Sequence, residues 1–364
     1  MKIVTIETFT KNPVSIVRVT LDDGQEGIGQ IAPYQANISA LVLHQQIAPL
    51  ALGQEFEDIP EWIDALIEHE HKFPGSYVCR AVAGLDTALW DAKAKASDKS
   101  VTELVGGRPR SIAVYGSSMR RDISPDDEAV RLRALADDAG YRAFKIRVAT
   151  PFGHDRDQWP GRTEAVIPAV RQALGDDIWL YADANSGYTP GRAIEVGRLL
   201  EDHGYCHYEE PCPYPELEWT QQVADALEIA VAGGEQDTSM ATWHRMIRMR
   251  AVDIVQPDIC YVGGFSRALK VARLAADAGL PCTPHAANRS LLSIFTMHLL
   301  AAIENGGPYM EHSIEPTAWT EPLFDSSVLA VHEGEVQFPT EPGWGVSIAQ
   351  DWLDTAEHQV TPLQ

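Results

Sequence analysis

Seven side chains able to move protons or hold cations recur along the chain. They are Lys145, Asp183, Glu209, Glu235, Asp258, His285 and Glu311, separated by 38, 26, 26, 23, 27 and 26 residues. That interval is close to one strand plus one helix, so each is expected at the end of a successive strand. Asp183, Glu209 and Glu235 are consecutive carboxylates in this series, and side by side at one water-poor mouth they would repel severely. A divalent cation resolves the repulsion. Oxygen donors with room left for water and a bidentate ligand suit Mg2+ better than zinc, which draws His or Cys. One such acid alone reads as a structural salt bridge; three at consecutive strand ends read as metal ligands. His285 titrates near neutrality and, oriented by Asp258, suits a base that later serves as an acid. Alternation along a strand puts Lys145 with Arg147 and Asp183 with Asn185 on one face. By the same rule Glu210 and His312 face away and are read as structural.

The elements that must position these groups follow from residue 111 onward. Short β-rich runs, IAVYG, AFKIRV, IWLYADAN, CHYEEP, IAVAGGE, VDIVQPD, PCTPHAA and PYMEHS, alternate with helical segments. Helix ends are marked by Ser124-Pro125 with Gly140, and by Thr189-Pro190 with Gly204. The expected fold is α/β, a (β/α)8 TIM-like barrel over residues 111–320 with one irregular strand; chemistry in such a barrel sits at the C-terminal strand ends. Residues 1–110 read as a separate α+β domain. Strands are expected at 2–8 and Val14–Leu21, then a turn at Asp23-Gly24 and a strand toward Gly29. Helices are expected at 38–50, 60–69 and 77–96, stopped by Gly106-Gly107.

Composition narrows the function classes. The 364 residues are 45% apolar and 22% charged, with no apolar run long enough to span a bilayer, so no membrane partner is expected. Residues 1–10 alternate charged and apolar positions where a secretory signal needs a hydrophobic stretch, which points to a cytoplasmic protein. Five cysteines without a C-x-x-C pair read as small buried side chains, neither a disulfide framework nor a zinc ribbon. The net charge, 29 − 52 = −23, repels a phosphate backbone and argues against nucleic acid. An anionic substrate would be repelled too, so local cations must overcome that field.

The stretches F-K-I-R, D-A-N-S, Y-E-E-P, G-G-E-Q, Q-P-D, P-H-A-A-N and Y-M-E-H resemble, in order, the strand-end motifs of the mandelate racemase branch of the enolase superfamily. The resemblance extends to Ala88-Leu-Trp-Asp91, similar to the family's linker into the barrel. It also takes in Gly343-Trp-Gly-Val346, similar to the C-terminal return, residues 321–364, to the capping domain. It implies removal of the proton beside a substrate carboxylate, with Asp183, Glu209 and Glu235 binding Mg2+ and His285–Asp258 as base dyad. It also implies Glu311 as the acid that hydrogen-bonds the developing enediolate, Lys145 as an aid to its charge, and a homo-oligomer. Substrate contacts are expected at Asn185 and, on capping loops 30–37 and 71–77, at Tyr34, Phe73 and Tyr77.

One position departs from the pattern. Where family racemases often carry a second lysine, this chain has Arg147, and a guanidinium is neutral in roughly one molecule in 10⁵ or fewer at pH 7. Racemisation needs proton acceptors on both faces of the substrate. Elimination of water needs one dyad that takes the α-proton and returns a proton to the leaving hydroxyl. The expected activity is therefore Mg2+-dependent syn dehydration of an acid sugar, an aldonate or aldarate, to a 2-keto-3-deoxy product. Alternatives are a racemase, epimerase or cycloisomerase on the same site, a catalytically silent carboxylate-binding protein, and a Schiff-base aldolase using Lys145.

Overall fold

The computed structural model describes residues 1–73, 75–316 and 323–363. The expected boundary at residues 320 and 321 lies outside them. The opening segment forms antiparallel strands β1 (Ile3–Lys11), β2 (Val14–Leu21) and β3 (Glu26–Ile31). The barrel strands are β4 (Ile112–Ser117), β5 (Ala143–Arg147), β6 (Trp179–Asp183), β7 (His207–Glu209), β8 (Ala230–Gly233), β9 (Ile254–Val255) and β10 (Met310–Ser313). β4 through β9 pair in parallel, each with the next, and β10 pairs in parallel with β4. Between β9 and β10 the run PCTPHAA contributes only single bridges, Cys282 to Val255 and Cys282 to Gly306. Pro281 and Pro284 lack the N–H that a regular ladder needs, which explains the one irregular strand.

Buried residues fill both faces of these strands, as a parallel sheet wrapped in helices requires. The register sets the mouth. Arg147 is the ladder partner of Asp183, and Asp183 of Glu209, so their side chains leave adjacent strands at the same level. The helix Pro125–Ala139 is held as expected: the Ser124 side chain accepts from Asp127 N, and Gly140 takes φ 76° at the C-cap.

After the barrel the chain forms β11 (Val331–His332) and β12 (Glu335–Val336), which pairs antiparallel with β4, and then β13 (Glu357–Pro362). β13 pairs with β1, completing the sheet β13-β1-β2-β3. The expected first strand, 2–8, runs on to Lys11 because β2 continues to pair with it as far as Val14. The expected helix 38–50 is interrupted, with a π-turn at Leu43–Ile47 between Ala36–Val42 and Ala48–Ala51.

The helix Ser76–Ala96 lies directly on β3. A Cβ at Gly29 would stand 2.3 Å from Gly84 O and 2.5 Å from Ala88 N, so this approach needs glycine. Asp91 fastens the same helix, accepting from Ile28 N at 2.8 Å and Trp344 N at 2.9 Å. The end of β3 then reaches the barrel: Gln30 Nε2 donates to Ser290 Oγ at 2.9 Å, and its Oε1 accepts from Leu291 N at 3.1 Å. The loop carrying His285 is thereby tied to the opening domain. Gly29→Ala is expected to push the helix off β3 and to cost about 1–3 kcal/mol, read as a lower urea midpoint. An unchanged midpoint would contradict the packing described.

Candidate active site

Lys145, fully buried, is the electrostatic centre of the mouth. Its Nζ lies 2.6 Å from Glu209 Oε1, 2.8 Å from Glu311 Oε1 and 3.8 Å from Asp183 Oδ2. Burial alone would lower its pKa, but Glu209 and Glu311 hold it above the ordinary value, so the ammonium keeps its proton. A Schiff-base nucleophile needs the opposite.

Arg147 forms an ion pair through Nη1 with Asp183 and donates to Asn185 Oδ1 from Nη1 and to Ser118 O from Nε, both at 3.0 Å. Its Nη2 lies against Met119 Sδ. Asp183 also accepts from Asn185 N at 2.7 Å and Asn185 Nδ2 at 3.2 Å. Glu209 accepts from Gln256 Nε2 at 2.8 Å; burial opposes its charge, yet Lys145 and His207 hold its carboxyl well below the usual range.

Opposite these groups, His285 Nδ1 is 2.7 Å from Asp258 Oδ2, while Nε2 is 3.3 Å from Glu235 Oε2 and 4.0 Å from Glu311 Oε2. Asp258 is itself fixed, its Oδ1 accepting from Tyr261 N at 2.9 Å as the cap of the short helix Ile259–Val262. Burial would lower the imidazole's pKa, but Glu235, Glu311 and Asp258 raise it to about 10. Glu311 accepts from Ser117 Oγ and Ala286 N, both at 2.8 Å. Burial opposes its charge, but Lys145 and His285 pull its carboxyl down to about 2. Glu235 is shifted the other way: burial, Glu209 and Glu311 raise it against the pull of His285 and Lys145.

Lys145, Arg147, Asp183, Asn185, Glu209, Glu235, Asp258, His285 and Glu311 thus meet in one buried network at the C-terminal strand ends. Asp183, Glu209 and Glu311 turn onto Lys145 and Arg147 and Glu235 onto His285, and among the described residues no three His, Cys, Asp or Glu side chains stand in metal-holding arrangement.

The three aromatic positions expected on capping loops stand at the surface. Tyr34, Phe73 and Tyr77 are 58%, 62% and 41% exposed, and among the described residues no hydrogen bond joins them to the buried network. Phe73 lines a cavity of about 300 Å³ with Cys79, Thr238 and Arg267.

Glu210 corrects the alternation argument. It takes φ +40° after β7 and is buried within the field of Glu235, Glu209 and His285 instead of facing away. Burial and the neighbouring carboxylates push its carboxyl well above the usual range, and Oε1 has no partner. Pro211 was the available signal, since the residue before a proline is restricted and strand alternation is unsafe there. His312 is held away from the cluster by Tyr141 Oη and Leu329 O. Gln256, two residues before Asp258, was legible by period and overlooked. Arg121, which donates to Asn185 Oδ1 at 2.7 Å, carries no such periodic signal.

Parallel strands whose ends gather acids, one ammonium and a His–Asp pair beneath an α+β cap define a capped barrel of the enolase type. The chain belongs to the mandelate racemase/muconate lactonizing enzyme family. Residues 2–106 match the Mandelate racemase / muconate lactonizing enzyme, N-terminal domain, and residues 127–352 match the Enolase C-terminal domain-like family. It is 28% identical to an arabinonate dehydratase of Saccharolobus solfataricus, over 94% of this chain and 91% of that one. With a D-galactarolactone cycloisomerase of Agrobacterium fabrum the identity is 32%, over 95% and 91%. The crystal structure of a candidate racemase from Roseobacter denitrificans is similar at 54% identity and TM-score 0.98, covering 100% of both chains. That of L-talarate dehydratase from Polaromonas sp. JS666, complexed with Mg and L-glucarate, is 26% identical with TM-score 0.86, over 100% and 99%.

The folded-state pKa of His285 lies above the ordinary 6.5. Its carboxylate partners therefore stabilise the fold fully below about pH 6.5, and that contribution is lost as pH rises toward about 10. Asp258→Asn is expected to move the His285 ring titration of chelator-treated protein downward by NMR. A titration that stays in place would show that Asp258 does not govern the ring.

Proposed function

We propose that the protein is a Mg2+-dependent hydro-lyase that removes water from an acid sugar, an aldonate or aldarate, leaving a 2-keto-3-deoxy acid. The observation that carries this reading is the asymmetry of proton acceptors: the His285–Asp258 pair on one side, and on the other an arginine already committed to Asp183, Asn185, Ser118 and Met119.

The donor set fits Mg2+. Asp183, Glu209 and Glu235 are buried oxygen donors on successive strand ends, and Glu210 Oε1 and Gln256 Oε1 are buried oxygens without a hydrogen-bond donor. The raised carboxyls of Glu235 and Glu210 mark a site short of positive charge. Bound there by Asp183, Glu209 and Glu235, Mg2+ would polarise the substrate carboxylate and offset the acidic field that keeps a proton on His285.

The chain's own groups do the rest. Asp258 holds Nδ1, so Nε2 is the nitrogen that receives the proton from the carbon beside the carboxylate. Lys145, kept charged by Glu209 and Glu311, places a cation where negative charge develops on oxygen. Glu311, held ionised, orients Lys145 and anchors the His285 loop through Ala286 N. Nε2 then returns the proton to the hydroxyl leaving from the same face, which makes the elimination syn. Arg147 and Asn185 bind the substrate's carboxylate or hydroxyl oxygens.

The names of the relatives divide. The arabinonate and L-talarate dehydratases support elimination, while the Roseobacter candidate racemase and the Agrobacterium cycloisomerase favour a second reading in which the α-proton is exchanged and water is kept. A library of aldonates and aldarates with Mg2+, read by semicarbazide trapping of the ketone, is expected to give at least one hit. His285→Asn should slow that hit roughly 10²- to 10⁴-fold. Deuterium entering recovered substrate from D2O with no ketone would establish the second reading. Silence in both assays would leave neither standing.

A further inference from the structure

Arg121 lies beyond β4, at the same mouth, and has neither the carboxylate partner of Arg120, Arg131 and Arg147 nor the three acceptors of Arg162. Arg120 pairs with Asp122, Arg147 with Asp183, and Arg131 with Glu128 and Glu315. Arg162 is satisfied by three backbone carbonyls, those of Ile123, Arg147 and Arg120. Arg121 has only neutral acceptors: Nε donates to Ala149 O at 2.9 Å and Nη2 to Asn185 Oδ1 at 2.7 Å. No carboxylate among the described residues forms an ion pair with it. A guanidinium carries five N–H donors, so taking away these two leaves three, among them both on Nη1, without an acceptor among the described residues.

The surroundings make that condition costly. Burial, with Arg147 and Arg162 close by, pushes the guanidinium down to about 9, so positive charge is crowded there in a chain of net charge −23. Two guanidiniums converge on one oxygen, since Asn185 Oδ1 accepts from Arg147 Nη1 as well as from Arg121 Nη2. Asn185 in turn donates to Asp183. The contacts therefore form a chain from Asp183 through Asn185 to Arg121. A substrate held as in the dehydratase reading, its reacting carboxylate with the Asp183, Glu209 and Glu235 group, would bring its far end toward Arg121.

We propose that Arg121 receives a second carboxylate at the far end of the substrate, which makes the substrate a sugar diacid, an aldarate, in preference to the matching aldonate. The inference rests on the dehydratase reading of the same site and narrows its substrate class. A carboxylate matches the free fork of the guanidinium in shape and charge. The primary alcohol that ends an aldonate would leave that charge uncompensated, which selects against the monoacid as much as it selects for the diacid.

The test compares an aldarate with the aldonate of the same length and configuration on the Mg2+-loaded protein, by kcat and KM and by calorimetric binding. The wild type is expected to prefer the aldarate by roughly 10- to 100-fold in kcat/KM, as loss of a charge-assisted contact predicts. Arg121→Gln is expected to collapse that ratio toward one, chiefly through KM for the aldarate, and Arg121→Lys to restore part of it. Equal losses on both substrates would mean that Arg121 only props Asn185, and would overturn the proposal. A wild type that dehydrates the aldonate as well as the aldarate would also overturn it, while leaving the dehydratase reading intact. If neither acid is dehydrated, the dehydratase reading fails separately. Calorimetry then still decides for Arg121: tighter aldarate binding that Arg121→Gln abolishes supports the distal contact, and equal affinities overturn it.

Discussion

Everything at the mouth depends on holding several carboxylates close together out of water. Asp183, Glu209 and Glu311 are fully buried, and Glu235 and Glu210 nearly so. Their mutual repulsion in a medium of low polarity would scatter them unless fixed cations answered it. Lys145 answers Glu209 and Glu311, Arg147 answers Asp183, and His285 lies between Glu235 and Asp258. The compensation is incomplete, and the incompleteness has a direction. Glu209 and Glu311 are held ionised while Glu235 and Glu210 are pushed toward the neutral acid. The Glu235 side is the least compensated, next to the His285 imidazole.

Such crowding is tolerable because the scaffold leaves the side chains no retreat. The parallel ladder puts Arg147, Asp183 and Glu209 level on three adjacent strands. The irregular stretch after β9 frees backbone that a regular strand would occupy, and Ala286 N uses that freedom to hold Glu311. From above, Gln30 fixes the same stretch through Ser290 and Leu291, and can do so because Gly29 lets β3 lie against the helix Ser76–Ala96. A glycine far from the mouth is thus linked through two hydrogen bonds to the loop that carries His285.

The sequence was legible where strict periods govern. The one-per-unit spacing of charged residues marked the strand ends, while the one irregular strand was expected without being located. Alternation placed Lys145 with Arg147; Asn185 meets Asp183 too, but from beyond β6 at φ +41°, so that agreement owes nothing to the strand period. Alternation failed at Glu210, where the backbone turns left-handed before Pro211, because a period of two holds only while the strand lasts. The break in the helix expected at 38–50 was equally hidden, since a π-turn leaves the apolar pattern nearly unchanged. Arg121 escaped notice for another reason: its meaning lies in the partner it lacks, and pairing is a property of three dimensions. The loop aromatics Tyr34, Phe73 and Tyr77, residue types suited to a binding rim, stand exposed.

The central claim, that this acidic mouth holds a divalent cation, is tested most directly by titrating chelator-treated protein with Mg2+ in buffers of different ionisation enthalpy. The account predicts saturable binding accompanied by proton release, because cation binding displaces protons from the raised carboxyls and from His285, and it predicts loss of that binding in Asp183→Asn. Absence of binding, or binding that Asp183→Asn leaves untouched, would contradict it.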